Sequence, residues 1–462
     1  MRQNMNAVSC VGASLQARVK PLVRWAAQLT LGRLPPPASR LTGELAGNGG
    51  KPVRDTRLRP WASVNDRNLL LWHGGPRASL RRVFFAGVEG LPQPLGREFA
   101  RQWAAYCGCR YGLLLAHGTD ALRIALAAAL EHDGLDYGGE VIVPNFSFIA
   151  SATAPLDRRF GVVCVDVDPA TLLIDPARVE EAVVPGRTRA IVPVHLFGQP
   201  ADMTALRAIA DKYGLKIIED AAQAHGAAWE SGPVGALGDA AGFSFQSSKN
   251  LSCGEGGALT TNDATLFERA YAMHNAGRAL VDGDRWEHAT LGWNCRATEY
   301  QAALLLERLK LLERRQDVRR ANFELLRALL TETGCLSPLA LHPGVRAHGM
   351  YMFPMRYRPE RCGGLSLDRF LDLVQAEGAP IHRAFTRTIA DQPAMQRIAR
   401  KHPEYFRRQA TPVADQAVKE TVYIPQNVFL GNAADMEDIV AAVRKVETRC
   451  AQRAAPRAAR AA

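Results

Sequence analysis

Short apolar runs alternate with helical patterns from residue 111 onward. The segments 119–130 and 202–214 carry apolar residues at helical spacing, and Gly214 closes the second. Short strand-like runs lie at 111–116, 140–144, 160–168, 189–198 and 215–222. Strands that alternate with helices in this way predict an α/β fold with a mostly parallel sheet covered by helices on both faces.

The C-terminal third has a different pattern. Residues 298–330 have helical spacing but are too long for one globular helix, so we expect this segment to bend or break. Beyond it, a strand-like run and helical patterns alternate less regularly. The chain is therefore divided into a basic N-terminal extension (1–47), a large domain (48–310), a smaller α+β domain (311–447) and an Ala/Arg-rich tail (448–462).

Composition and charge narrow the class of protein. The chain has 462 residues, of which 47% are hydrophobic, and no apolar run approaches the ~20 residues of a membrane span. The net charge of +11 belongs to the ends: residues 1–60 hold ten Lys/Arg and two acids, and residues 444–462 hold six Lys/Arg and one acid. The body is slightly acidic, so no nucleic-acid partner is predicted. Residues 1–43, which lack acids, fit a transit peptide, a disordered extension or an upstream start equally well.

The cysteines argue against a disulfide framework. There are nine, an odd number, scattered without paired spacing. Cys107 and Cys109 are too close together for the usual zinc spacing, and no second pair matches them, so no metal site is expected. A reducing cytoplasm fits this pattern best.

Two strand ends carry residues with two possible functions. After the first strand, Gly118 and Thr119 open a helix, where backbone N–H groups can bind an anion; this segment taken alone favours Thr119 as an ordinary helix cap. After the second strand, Phe146 and Phe148 belong to the core or stack on a flat ring. Ligands of parallel α/β sheets bind at the carboxyl ends of strands. A ligand-binding role for these residues is therefore favoured only if other strand ends also carry residues suited to the same ligand.

Two further segments do agree. Asp220 ends an apolar strand, followed by Gln223 and His225, and a carboxylate there is costly without a cationic partner such as a protonated pyridine nitrogen; taken alone, an ion pair or a helix cap explains Asp220 about as well. Lys249 follows a strand ending at Ser244 and precedes the glycine cluster 254–257, where it is either an ordinary turn lysine or an amine that forms a Schiff base with an aldehyde cofactor. A phosphate-binding helix start, an aromatic, an acid and a lysine in this order predict a pyridoxal phosphate site.

The motifs around these residues resemble those of the DegT/DnrJ/EryC1/StrS sugar aminotransferases. The resemblance extends from about residue 48 to about residue 447. It is carried by AHGTDAL, VIVPNFSFIASA, VHLFGQPADM, IIEDAAQAHGA, FSFQSSKNLSCGEGGALTT and LGWNCRATEYQAALLLERL, in that order. The resemblance implies a pyridoxal-phosphate-dependent transferase of fold type I, like aspartate aminotransferase, with a seven-stranded, mostly parallel sheet in the large domain and a smaller C-terminal α+β domain.

The resemblance also implies a role for each site residue. The active unit would be a homodimer with shared sites, and one residue would reach the neighbouring subunit's cofactor. The implied roles are Lys249 as the Schiff-base lysine and proton carrier, Asp220 at the pyridine nitrogen, Gln223 at the ring's 3-hydroxyl, Phe148 on the ring face, Gly118, Thr119 and Ser244 at the phosphate, Asn294 at the partner's phosphate, and His225 close to the cofactor.

The substrates are less determined than the cofactor. GGKPVR, FGQPADM, GGLSLDRF and EGAPI resemble the branch that aminates inososes with glutamine or makes the aminohydroxybenzoate starter of ansamycins. We therefore expect L-glutamine or L-glutamate as donor and a keto-sugar or keto-cyclitol as acceptor, in antibiotic or surface-polysaccharide biosynthesis. His117 stands where the family often has Ser or Asn, and residues 379–395 match loosely. The alternatives are an aromatic-starter synthase, a sugar dehydratase, which would carry histidine at position 249, and a pyridoxal-phosphate-binding regulator.

Overall fold

The computed structural model describes residues 44–56, 75–86, 93–280 and 286–454. The predictions for residues 1–43 and 455–462 lie outside the described residues. The helices are α1 (Gly75–Ala86), α2 (Pro94–Tyr106), α3 (Gly118–Ala129), α4 (Ala150–Asp157), α5 (Pro176–Ala182), α6 (Met203–Tyr213), α7 (Ala264–His274), α8 (Glu299–Leu309), α9 (Leu312–Leu329), α10 (Leu367–Ala376), α11 (Pro393–Lys401), α12 (Pro412–Glu420) and α13 (Ala433–Ala454).

The strands form three sheets in the described part of the chain. They are β1 (Tyr111–Leu115), β2 (Glu140–Pro144), β3 (Gly161–Val165), β4 (Thr188–Ile191), β5 (Lys216–Asp220), β6 (Ala228–Trp229), β7 (Gly232–Pro233), β8 (Ala240–Ser244), β9 (Gly257–Thr261), β10 (Leu336–Pro338), β11 (Val345–Ala347), β12 (Met352–Tyr357), β13 (His382–Arg383), β14 (Phe406–Arg408) and β15 (Thr421–Pro425).

The large sheet has eight strands, in the order β1-β9-β8-β5-β4-β2-β3-β14. Only β9 runs against its neighbours, so the mostly parallel sheet predicted from the sequence is confirmed. The prediction of seven strands was one short, because β14 comes from the C-terminal part and pairs with β3 at the edge. β14 contains Arg407 and Arg408, which form ion pairs with Glu140 and Asp415, so it lacks the apolar run of a buried strand.

Helix α3 packs tightly on the large sheet. Its alanines are buried along most of its length, and small side chains let its axis approach the strands. At Gly242 in β8, a Cβ atom would lie 2.8 Å from the Leu122 side chain. This close approach brings the N-terminus of α3 beside the carboxyl end of β8, where the predicted site residues begin.

The C-terminal part has its own antiparallel sheet, in the order β10-β12-β15-β13. Its core joins β12, β15, α10 and α13 through Phe353, Ile424, Phe370 and Val443. The predicted break of the long helix is confirmed, since α8 ends at Leu309 and α9 starts at Leu312. The proposed domain boundary at residue 310 falls in this break.

Two segments cross between these parts. Ile389 and Met395 pack into the core of the large sheet, next to β14, although they follow the proposed boundary. Near the N-terminus, the Arg54 guanidinium forms an ion pair with Asp435 of α13 at 2.6 Å. No helix in the described ranges is both long and apolar enough to cross a membrane.

Candidate active site

The carboxyl ends of β1, β2, β5 and β8 border one cavity of about 580 Å³. The second sheet closes it, since Tyr351 and Tyr423 also line its wall. Most of the predicted site residues lie in this lining: Gly118, Thr119, Phe148, Asp220, Gln223, Ser244 and Lys249. Strand ends that are far apart in sequence therefore meet at one place, as the topology of a parallel sheet requires.

The start of α3 forms one end of the cavity. The helix begins at Gly118, and its N-cap residue His117 contributes no capping side-chain hydrogen bond, so Thr119 lies inside the first turn and is not the cap. A Cβ atom on Gly118 would lie 2.8 Å from the Ser244 Cβ, which explains the glycine. Helix N–H groups and two hydroxyls thus converge where an anion such as phosphate is favoured.

Asp220 is a buried carboxylate in the cavity wall, with 5% of its surface exposed. The Ser151 hydroxyl donates to Oδ2 at 2.7 Å and the Ala222 backbone N–H donates to Oδ1 at 3.3 Å. Burial raises the pKa of Asp220, opposed by these hydrogen bonds and by the charge of Lys249. Among the described residues no cationic side chain forms an ion pair with it, so the site suits a cationic ligand atom.

The Gln223 amide has a defined orientation. Its Oε1 accepts the backbone N–H of Phe197 at 2.8 Å, and Phe197 is held there in a left-handed conformation with φ 61°. The Nε2 group is therefore the end available to the cavity that Gln223 lines. It can donate a hydrogen bond to a ligand oxygen next to a group held by Asp220.

Lys249 extends from a tight turn at the mouth of the cavity. Its backbone N–H donates to the Gln246 carbonyl at 2.9 Å, which closes the turn after β8. Its Nζ lies 4.2 Å from the centre of the Tyr351 ring, and the Tyr351 hydroxyl is 2.9 Å from Ser248 Oγ. No carboxylate in the described segments forms an ion pair with Nζ, so the amine is held by an aromatic face and can react.

Of the two phenylalanines after β2, one lies in the core and the other is available to stack on a flat ring. Phe146 is buried in the core, with 1% of its surface exposed. Phe148 lines the cavity and is 60% exposed, so its ring is accessible to a planar ligand.

Comparison with known proteins agrees with this geometry. Residues 91–444 match the model of the DegT/DnrJ/EryC1/StrS aminotransferase family. The chain belongs to this family. It is 37% identical over 428 residues to an L-glutamine:2-deoxy-scyllo-inosose aminotransferase of Streptoalloteichus tenebrarius, a match that covers 87% of this chain and 97% of that protein.

Solved structures support the same conclusion about the fold. The crystal structure of 3-amino-5-hydroxybenzoic acid synthase matches with 31% identity and a TM-score of 0.72, covering 82% of this chain and 97% of that one. The structure of DesV from S. venezuelae matches with 31% identity and a TM-score of 0.73, covering 84% and 98%. The predicted type I transferase fold and the predicted aminotransferase activity are therefore confirmed.

Two predicted residues of this aminotransferase lie outside the cavity lining. Asn294 is exposed and forms an isolated β-bridge with Asn275. Its predicted contact with a cofactor phosphate would therefore require a second subunit. His225 is fully buried against Trp103, Phe243 and Phe245. Burial lowers its pKa to about 3, so the imidazole is neutral at ordinary pH. Its predicted contact with a cofactor stays a prediction.

The structure adds residues to the aminotransferase site that sequence reasoning missed. Ser151 holds the Asp220 carboxylate, and it lies four residues after Ser147 in the motif that follows β2. The Tyr351 ring contacts the Lys249 amine, and Tyr351 lies in a segment whose pattern predicted only a strand. Ser151 could have been found from the polar residues that follow the second strand, whereas no local sequence pattern indicated Tyr351.

Proposed function

We propose that this aminotransferase binds pyridoxal phosphate in the cavity at the strand ends and moves an amino group from L-glutamine or L-glutamate to a keto-cyclitol. One observation carries the proposal. The amine of Lys249, the buried carboxylate of Asp220 and the N-terminus of α3 converge in one cavity, and neither side chain forms an ion pair with any residue that the structure describes.

The residues present fit pyridoxal phosphate. The N–H groups at Gly118 and Thr119, with the Ser244 hydroxyl, would hold the phosphate. Asp220 would accept a hydrogen bond from the cationic ring nitrogen, and the Gln223 amide would donate to the ring hydroxyl. When bound, pyridoxal phosphate supplies an electron-accepting ring that stabilises negative charge on the carbon that loses its proton.

Lys249 performs the proton transfers. Its Nζ is the group that would hold the cofactor at the aldehyde carbon, and it would be a free amine whenever a substrate amine holds that carbon instead. The free amine would then take a proton from the substrate carbon and return it at a second position. The Tyr351 ring, 4.2 Å from Nζ, limits the positions that the released amine can adopt. Donor and acceptor use the same groups in turn, which predicts ping-pong kinetics.

The charges of the cavity favour an acceptor without phosphate or carboxylate groups. Its charged lining residues within the described ranges are the acids Asp120, Asp220 and Glu255 and the base Lys249, and no arginine lines it. Asp120 is paired with Arg123 at 2.9 Å and Asp220 is assigned to the ring nitrogen, so Glu255 is the acid that a nucleoside diphosphate or a benzoate precursor would meet, with no arginine of the described lining to hold its negative charge. An uncharged or amine-bearing keto-cyclitol avoids this repulsion, which agrees with the inosose substrate in the name of the Streptoalloteichus relative.

An absorbance spectrum of the purified protein tests the proposed function. We expect the yellow colour of a lysine-bound pyridoxal phosphate, and we expect L-glutamine to bleach it in a single half-reaction. Bleaching by L-glutamate alone would reassign the donor. A protein that stays colourless with added pyridoxal phosphate would contradict the proposal.

We also propose that the active unit is a homodimer in which Asn294 of one subunit completes the neighbouring site. The exposure of Asn294 and its position outside the lining of its own cavity support this arrangement. We place the enzyme in the cytoplasm, because Cys107, Cys164 and Cys335 are free thiols, which persist in a reducing compartment.

Mixing two impaired variants tests the shared site. Lys249→Ala and Asn294→Ala should each be weakly active as homodimers. After they are unfolded and refolded together, the mixed dimer contains one site with both Lys249 and Asn294, so activity should return to about a quarter of wild type. If both residues served the same subunit, every mixed site would lack one of them and no activity would return.

A further inference from the structure

A buried arginine lies behind the turn that carries Lys249. Arg319 of α9 has no exposed surface. Among the described residues no carboxylate forms an ion pair with it, and its guanidinium donates only to two side-chain amides, those of Gln316 and Gln426. Burial lowers the pKa of Arg319 to about 9, helped by the charge of Arg315. Burying this charge without an acid is costly, so its position needs a reason beyond packing.

One amide connects Arg319 to the residue before Lys249. Gln426 directly follows β15, and its Oε1 accepts from Arg319 Nε at 2.9 Å and Nη2 at 2.5 Å. Its Nε2 donates to the Ser248 carbonyl at 3.2 Å. Because both guanidinium donors require an oxygen, the amide cannot reverse, and its N–H group stays directed at the turn.

The second amide connects Arg319 to the residue after Lys249. Gln316 Oε1 accepts from Arg319 Nη1 at 3.0 Å and from Asn250 Nδ2 at 3.1 Å. Its Nε2 donates to the His225 carbonyl at 2.7 Å and the Gly349 carbonyl at 2.9 Å. Asn250 Nδ2 also donates to the Gly349 carbonyl, at 2.6 Å. The guanidinium thus orients Gln316 as well.

We propose that Arg319 is a positioning residue for Lys249, acting through Gln426 on Ser248 and through Gln316 on Asn250. The chain is then held on both sides of the lysine by elements of the C-terminal part, at the Ser248 carbonyl and at the Asn250 side chain, which fixes the point from which its amine reaches the substrate carbon. This inference rests on the proposed function, in which Lys249 transfers the proton. A displacement of about 1 Å can slow such a step by about 100-fold.

Two variants test the proposal. Arg319→Met removes the guanidinium and frees both amides. Gln426→Glu keeps an oxygen acceptor for Arg319, gives its charge a counter-ion, and replaces the N–H group that donates to the Ser248 carbonyl by an oxygen that cannot donate. In cofactor-free protein, hydrogen exchange at the Lys249 backbone N–H should be about 10-fold faster in both variants, because its bond to the Gln246 carbonyl opens more often. With cofactor and saturating L-glutamine, the half-reaction should be about 10- to 100-fold slower, with little change in the half-saturating glutamine concentration.

Arg54→Met serves as the matched control. Arg54 is also buried, but it pairs with Asp435 and Asp438, away from the turn. This variant should unfold at a lower temperature while exchange at Lys249 and the half-reaction rate per bound cofactor stay as in wild type. If Arg319→Met and Gln426→Glu behave in the same way as this control, Arg319 is only structural and the inference is overturned. If wild-type enzyme reacts with no amino donor, the proposed function fails, while the exchange measurement still tests the turn.

Discussion

Replacing Lys249 by alanine should slow amino transfer by at least about 10³-fold, the scale of a lost general acid–base group. Lys249 carries the only amine among the described residues that line the cavity, and no ion pair in the described segments occupies it. The variant should still bind pyridoxal phosphate through the groups at the start of α3 but without the yellow colour of the lysine-bound form. Rapid mixing with L-glutamine, followed by absorbance, measures the loss.

Lys212→Ala is the matched control for this experiment. Its Nζ pairs with Glu180 at 2.7 Å on the surface, so its removal should leave colour and rate unchanged. A small amine such as methylamine should restore part of the lost rate in Lys249→Ala, since it supplies a proton carrier in the vacated volume. Normal turnover by Lys249→Ala would refute the role given to this lysine.

The main architecture of the fold follows from local patterns in the sequence. The central strands β2 and β3 are short, mostly apolar and buried on both faces, so their hydrophobic runs predict a parallel sheet directly. β14 was not predicted because it is three residues long and contains two arginines. Arg407 pairs with Glu140, which is 267 residues away in the sequence, and Arg408 pairs with Asp415, seven residues later. A short edge strand stabilised by such ion pairs leaves no periodic signal.

Part of the candidate site could also be predicted from local patterns in the sequence. Gly118, Asp220 and Lys249 were predicted together because each follows or ends a strand and parallel strands share a carboxyl edge. Tyr351 directly precedes β12 of the second sheet, and its place beside Lys249 depends on how that sheet packs. Asn294 could be assigned only through family resemblance, because its proposed contact lies in another subunit. Arg319 gave no signal, since an arginine within a charged helical pattern ordinarily faces solvent.

Replacing Asp220 by asparagine should affect activity and stability in opposite directions. Without its charge the ring nitrogen loses its counter-ion, and amino transfer should slow by about 10²- to 10³-fold, the usual scale for one lost electrostatic group. Burial raises the pKa of Asp220, so the folded protein binds its proton more tightly than the unfolded chain does. Stability of the cofactor-free protein therefore falls as pH rises through that pKa, and the neutral amide removes this loss.

Thermal unfolding of cofactor-free protein between pH 4 and 8 separates a ligand-binding role from a structural one. Asparagine has nearly the same shape as aspartate, and the Ser151 hydroxyl can rotate to accept from the new amide. We expect Asp220→Asn to unfold at a higher temperature than wild type near neutral pH, with a difference that shrinks toward acid pH. A carboxylate kept for folding alone would give the reverse, a less stable variant at neutral pH. A buried carboxylate that destabilises the cofactor-free protein has a use if a cationic atom of a ligand pairs with its charge. If Asp220→Asn is instead less stable than wild type at neutral pH, this result would count against pyridoxal phosphate at this position.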